Sequence, residues 1–251
     1  MLVLSLDTTT RAGSSALTRD RRVLREAASE ANGAPAARLP RELMALLEQE
    51  GVELGDVDVF AVATGPGSFT GLRIGIATMQ GLAFATGKPL IGVSALDSLE
   101  VVGRALSGSP GKPDKACPTG GTALDALTRE TRETRVATWI DAWRGEVYAA
   151  LYQDGREVEP PIVALPEAVL QGLDQQPTLF VGDGAGTFRD LIVATRGAGA
   201  RIADPASPLI AGIIGQLATD AARAGERPPP HAIRPLYVRR YDAARQTGSP
   251  A

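Results

Sequence analysis

The sequence predicts an α/β protein in which mixed sheets carry helices on their faces and the pattern is laid down twice. Three observations predict it. The first half runs in the order three strands, helix, strand, helix, strand, helix, which suits a sheet covered by helices. One of those strands, residues 57–63, is a nearly continuous apolar run, as expected where both faces are buried. From residue 134 the chain opens with strands again and then alternates, although no sequence repeat relates the halves.

Residues 2–6 are apolar and end at the polar turn Asp7-Thr8-Thr9-Thr10. Short strands follow at 13–18 and 23–28, joined through Arg19-Asp20-Arg21 as a hairpin. Residues 37–50 form a helix with Leu39, Leu43, Leu46 and Leu47 on one stripe. Pro40 is tolerable there only in the first turn, and Gly51 closes the helix. The buried strand leads through Thr64-Gly65-Pro66-Gly67 into a helix over 68–86, stopped by Gly87 and Pro89. A strand at 90–93 and a helix at 95–105, capped by Ser94, complete the half.

Residues 107–133 are Gly- and Pro-rich and then polar, and read as a surface insertion between a first lobe (1–106) and a second (134–206). The second lobe has strands at 136–140 and 146–153, a short helix at 166–173 and a strand at 178–181. Gly182-Asp183-Gly184-Ala185-Gly186 then enters a helix ending near residue 196. A long helix over 207–225 is expected to pack back on the first lobe, and 226–251 is an extended tail.

A net charge of −3 gives no global basic excess for gripping a nucleic-acid backbone, so contact with RNA is expected to be indirect. The one cysteine, Cys117, excludes an intramolecular disulfide and a cysteine metal cluster. No apolar run reaches the length of a membrane span, and the N-terminus lacks a leader pattern, so the cytoplasm is the expected location.

The most informative segment is Gly65-Pro66-Gly67-Ser68-Phe69-Thr70-Gly71-Leu72-Arg73-Ile74-Gly75. A strand, a glycine turn and a helix N-terminus make an anion-receptive geometry, with Ser68 or Thr70 as a cap. The spacing is not that of a phosphate-binding P-loop, because Thr70 stands five residues after Gly65 and no Lys-Ser/Thr pair follows. A tight structural turn is the competing explanation. The helix behind it has no charged residue between Arg73 and Lys88, so it is expected to be buried on all sides, by the sheet and by a neighbouring helix or partner.

That segment resembles the signature of the TsaB (YeaZ) family. So do Leu4-Ser5-Leu6-Asp7-Thr8-Thr9, Ser94-Ala95-Leu96-Asp97-Ser98-Leu99, Asp141-Ala142-Trp143-Arg144-Gly145, Gly182-Asp183-Gly184-Ala185 and Pro235-Leu236-Tyr237-Val238-Arg239. The family usually has Asp-Ala-Arg where this chain has Asp141-Ala142-Trp143, which leaves open whether Arg144 takes the arginine's place. The resemblance implies an actin-like fold of two ribonuclease-H-like lobes and a non-catalytic subunit in tRNA threonylcarbamoyladenosine synthesis. Such a subunit binds the transferase TsaD, is joined by the ATPase TsaE, and forms a homodimer when alone.

It further implies that the partner surface lies on the first two helices, here 37–50 and 68–86, through Leu39, Leu43, Leu46, Leu72, Arg73, Ile76, Met79 and Ala83. Asp7, Thr8, Thr9, Ser68 and Thr70 are the candidate nucleotide or anion contacts. No intrinsic cofactor is expected, with ATP or ADP bound only at a complex interface. A single histidine, His231, excludes a paired-histidine metal site within one chain. The alternatives are an actin-like ATPase or small-molecule kinase using Asp7 and the glycine turns, and a peptidase-like homologue.

Overall fold

The computed structural model describes residues 1–10, 13–30, 35–107 and 135–238. The expected insertion, apart from Ser107, lies outside the described residues, as do Cys117 and the tail beyond 238.

Strands β1 (Leu2–Asp7), β2 (Ser14–Arg19) and β3 (Arg22–Ala28) form an antiparallel meander. Helix α1 (Pro35–Gln49), β4 (Val59–Gly65), α2 (Phe69–Thr86), β5 (Leu90–Ser94) and α3 (Ala95–Ser107) follow. The strands order as β3-β2-β1-β4-β5, with β1, β4 and β5 parallel. The second half repeats the plan with β6 (Arg135–Asp141), β7 (Val147–Gln153), β8 (Arg156–Ala164), α4 (Pro166–Gly172) and β9 (Thr178–Val181). It continues with α5 (Asp183–Thr187), α6 (Arg189–Arg196), β10 (Ala200–Ile202) and α7 (Ala211–Arg223). Its sheet orders as β10-β9-β6-β7-β8, the same topology read from the other edge. Two lobes of one topology, each a five-stranded mixed sheet with helices on its faces, make the actin-like α/β fold that the resemblance implied.

Several elements depart from the sequence expectation. Strand β8 was not foreseen, because Pro160-Pro161 argues against a strand. It is tolerated because β8 is the sheet's edge, where one row of N–H groups has no ladder partner to lose. Strand β10 is too short to carry a pattern. The helix expected to end near residue 196 is broken at Phe188 into α5 and α6. Helix α1 starts at Pro35, so Pro40 stands in its second turn rather than its first.

The helices that end each half are exchanged. Residues of α3 pack on β6 and β9 of the other sheet: Gly103 lies against Val136 and Val181, and the Tyr152 hydroxyl donates to Asp97 Oδ1 at 2.6 Å. Helix α7 lies across β1, β2 and β4 of the first sheet. Its first turn is held there by side chains of that lobe. Ser14 Oγ accepts from the Ala211 N–H at 3.1 Å and Glu26 Oε1 from the Gly212 N–H at 2.7 Å, while Ser5 Oγ donates to the Ala211 carbonyl at 2.7 Å. Farther along, Gln216 and Thr219 donate to the Arg21 and Asp20 carbonyls in the β2–β3 turn.

One apolar core therefore spans both lobes, joining Val3, Val59 and Ala61 to Leu99, Val136, Ile140, Val181, Ile210 and Ile214. A second core lies under α1 and α2, and a third under α4 and α6, where Trp139 and Phe180 meet edge to face at 5.5 Å. Because the central core is shared, Ile214→Ala, a fully buried truncation on α7, should cost about 2–5 kcal/mol. Urea denaturation followed by fluorescence and by circular dichroism should show both lobes lost in one coincident transition.

Candidate functional site

The signature segment is built around the turn that ends β1. Strand β4 delivers Gly65 beside that turn, and the Ser68 N–H donates to the Thr9 carbonyl at 2.9 Å. Ser68 Oγ accepts from the Gly71 N–H at 3.2 Å, so Ser68, not the exposed Thr70, is the N-cap of α2. A β-carbon on Gly71 would overlap the Thr8 carbonyl oxygen, and one on Gly75 would overlap Thr8 Oγ1. The glycines one helical turn apart thus exist to seat the Asp7-Thr8-Thr9 turn on the helix. The second lobe echoes this, for a β-carbon on Gly182 would collide with the Trp139 carbonyl at the end of β6.

These contacts bear on the nucleotide expectation. The first turn packs directly on the start of α2 at Gly67, Gly71 and Gly75, and an open cavity lies beside that contact. Asp7 is buried and accepts from the Thr9 N–H at 2.8 Å and from Thr9 Oγ1 at 2.6 Å, the arrangement of an aspartate capping its own turn. Burial raises its carboxyl to about 6, against the lowering effect of the two Thr9 hydrogen bonds, and the Asp183 charge raises it further.

Asp183 is itself pushed up by burial and by Asp141. Its Oδ1 accepts from the Asp141 N–H at 3.0 Å and the Gly184 N–H at 2.9 Å. Glu26, half-buried beside the first turn of α7, is raised by desolvation and by the Asp7 charge, partly offset by the Gly212 N–H. The buried Asp7 therefore couples to two half-buried carboxylates, Glu26 in its own lobe and Asp183 in the other. The strand ends show none of this in sequence, beyond Asp183 standing in a glycine turn. Among the described residues, no group of three or more His, Cys, Asp or Glu is placed to hold a metal ion.

Of the candidate anion contacts, Thr8, Ser68 and Thr70 line a common cavity of about 300 Å³, whereas Asp7 and Thr9 do not border it. The sequence did not single out Arg38, which also lines it and pairs with Glu42 at 3.0 Å. Trp143 reaches the same cavity from the second lobe. It sits on the β6–β7 hairpin with Trp143, Arg144 and Gly145 all at positive φ, and its departure from the family pattern was the signal that marked it.

The candidate partner residues divide by direction. Leu39, Leu43, Leu46, Leu72, Ile76, Met79 and Ala83 are all buried inside the first lobe, and apart from Leu72 they pack in the core under the sheet. They reach no surface from which to touch another protein. Helix α2 was expected to be buried by the sheet and by a neighbouring helix or partner, and in the lone chain one of its faces is open. Phe69 is 53% exposed and Phe84 85%, with Arg73, Ala77, Gly81 and Ala85 exposed along the same side. Of the named residues only Arg73 belongs to that face. Its guanidinium lies 3.8 Å over the Phe69 ring and its Nε donates to the Tyr237 hydroxyl at 3.1 Å. Tyr237 belongs to the C-terminal segment, which runs along α2 with the Leu236 N–H bonded to the Thr64 carbonyl at 2.7 Å.

Fold and site together define a two-lobed actin-like protein whose glycines seat the chain's own turns and whose second helix has an apolar stretch toward solvent. Comparison with known proteins gives the family. The tRNA N6-adenosine threonylcarbamoyltransferase family, TsaD, matches residues 29–236. The tRNA threonylcarbamoyladenosine biosynthesis protein TsaB of Escherichia coli (strain K12) is 34% identical over 201 residues, covering 74% of this chain and 72% of that protein. An uncharacterized protein of Mycobacterium tuberculosis is 32% identical over 244 residues, covering 96% of this chain and 93% of its own. The solved structure of YeaZ from Pseudomonas aeruginosa superposes with a TM-score of 0.69 at 31% identity, covering 94% of this chain and 99% of that one. The chain belongs to the TsaB/YeaZ family.

Two predictions test the turn. Alanine in an open helix gains about 1 kcal/mol over glycine. Gly71→Ala should instead lose about 2 kcal/mol or more in chemical denaturation, because the new methyl meets backbone. The Asp7 carboxyl releases its proton near 3.8 when unfolded and near 6 when folded, so its contribution to stability is complete below pH 3.8 and is lost as pH rises to about 6. Relative to Asp7→Asn, which keeps an acceptor for Thr9, the wild-type protein should lose about 2–3 kcal/mol across that window and then stay level. Melting of both proteins from pH 4 to 8 reads the difference.

Proposed function

We propose that this chain is the non-catalytic subunit that docks and supports a TsaD-like transferase in tRNA threonylcarbamoyladenosine biosynthesis. The observation that carries the proposal is the open face of α2. A helix with no charge from residue 74 to residue 87 presents Ala77, Gly81, Phe84 and Ala85 to solvent, whereas its opposite face is already committed to the core. A contiguous apolar helix surface of this kind is costly to leave in water and suits a helix of another protein. Small residues at 77, 81 and 85 allow close approach, and Phe84 supplies an anchor of the kind that dominates interface energies. Helix α1 packs beside it and adds the exposed Ala45 and half-buried Met44.

The accessory role is supported by the close packing at the glycine positions. Where an ATP-using relative would need open cradles, Gly71, Gly75 and Gly182 are occupied by Thr8 and by the end of β6. On this proposal any nucleotide belongs to the assembly rather than to the lone subunit, and a TsaE-like ATPase joins that assembly. RNA is approached through the transferase. In isolation the same α2 face pairs two copies of the chain.

Reconstituted tRNA threonylcarbamoylation with and without this chain tests the role directly. Omission should abolish or strongly reduce modification, and unchanged modification would refute it, as would ATP turnover by the purified chain alone. Phe84→Glu, at a position 85% exposed, should leave the melting temperature near wild type. It should weaken transferase binding by at least about tenfold and shift the isolated protein toward monomer in analytical ultracentrifugation.

A further inference from the structure

Helix α2 and the C-terminal segment enclose a groove of about 280 Å³ on the solvent side of the first lobe. The segment is tied to the helix at defined points. Gln80 Nε2 donates to the Pro230 and Ile233 carbonyls at 2.9 and 3.0 Å, and the Leu236 N–H is bonded to Thr64. The floor includes Ala77 and Ile233, and three basic side chains line the walls: Arg73, His231 and Arg234. No aspartate or glutamate lines the groove. Some other arginines are paired, as in Arg25–Glu50, Arg104–Glu100 and Arg223–Asp20, whereas Arg19, Arg22, Arg156, Arg189 and Arg201 stand singly on the surface without sharing a groove. Here Arg234 and His231 have no hydrogen bond or ion pair among the described residues, and Arg73, whose guanidinium lies over the Phe69 ring, has as its one hydrogen bond there the neutral Tyr237 hydroxyl, not a carboxylate.

Two guanidinium groups gathered over an apolar floor, without a counter-charge, on a chain whose net charge is −3, mark a place for an anion supplied from outside. We infer that the groove binds an acidic side chain, Asp or Glu, of the protein that docks on α2. This rests on the proposed function for the identity of the partner. Guanidinium groups match a carboxylate with paired, charge-assisted hydrogen bonds. Ala77 belongs both to the groove floor and to the open α2 face, so one partner surface covers both. A nucleic-acid phosphate is the weaker occupant, because an apolar floor offers nothing to a sugar-phosphate backbone.

The experiment measures the affinity of the full chain for its TsaD-like transferase by calorimetry at low and high salt. Arg73→Glu/Arg234→Glu should weaken binding by about tenfold and remove most of the salt dependence, with Arg234→Lys retaining most of the affinity. Arg156→Glu, on the far edge strand, should bind as wild type, and melting curves establish that each variant is folded. Should the double variant be compromised in folding, Arg234→Gln alone is expected to show a smaller loss in the same direction.

Undiminished affinity in the groove variants, with Phe84→Glu still losing binding, overturns the groove and leaves the docking face standing. If both the groove variants and Phe84→Glu bind as wild type, the docking face fails as well. Loss of tRNA binding in a mobility-shift assay, with transferase affinity intact, overturns the carboxylate in favour of a phosphate.

Discussion

The absence of side chains at Gly71 and Gly75 lets the turn after β1 lie directly on α2, and the orientation of that helix follows from this contact. With Thr8 pressed against one side near its N-terminus, the helix must turn Leu72, Ile76, Met79 and Ala83 inward. Phe69, Arg73, Ala77 and Phe84 are then left outward. Ser68 fixes the start by capping Gly71, and Gly87, in the left-handed conformation, fixes the end. Interior and surface of the lobe are thus decided by one backbone approach that a single methyl group would obstruct.

The two halves use this device differently. In both, the turn after the fourth strand packs its glycines on the end of the first strand, as the shared topology requires. In the first half an unbroken helix of eighteen residues follows. In the second, the corresponding helix breaks at Phe188, and α6 has Arg189, Asp190 and Arg196 within its eight residues. Among the described residues the duplicated framework therefore presents its long apolar helical face on the first lobe. Exchange of α3 and α7 between the lobes joins the halves through a common core. The Asp7 carboxyl also lies within reach of the Asp183 and Glu26 charges, at a cost in stability that grows as they ionise.

Much of this was legible in sequence where local pattern and global environment agree. The doubly buried β4, the leucine stripe of α1 and the stop of α2 at Gly87 all followed from periodicity and capping. Strand β8 was not legible because edge position, a property of the whole sheet, is what excuses Pro160 and Pro161. The direction of α2 was not legible either. A helix apolar on every side has no moment to say which side faces in, and its sequence reads as fully buried whether the last face is covered by its own chain or by another. The glycines carried the missing information, but only with Thr8 in place does their role as a seat rather than a cradle become visible. Arg38 and the convergence of the three carboxylates depend on lobe packing and left no mark in local sequence.

The C-terminal segment resolves a tension in the docking surface. An apolar helix face alone gives affinity with little discrimination, since any complementary apolar helix satisfies it. Running along α2, the segment converts one border of that face into a charged wall, with Gln80 spending its amide on holding the wall in place. An apolar centre then sits beside fixed positive charge. The centre accounts for strength, and the wall rejects partners that lack a carboxylate at the matching position, because two guanidinium groups would otherwise be desolvated without a counter-charge. On this argument the terminal Pro-Leu-Tyr-Val sequence at 235–238 belongs to the recognition surface as much as the glycine signature does: one aims the helix, the other edges it.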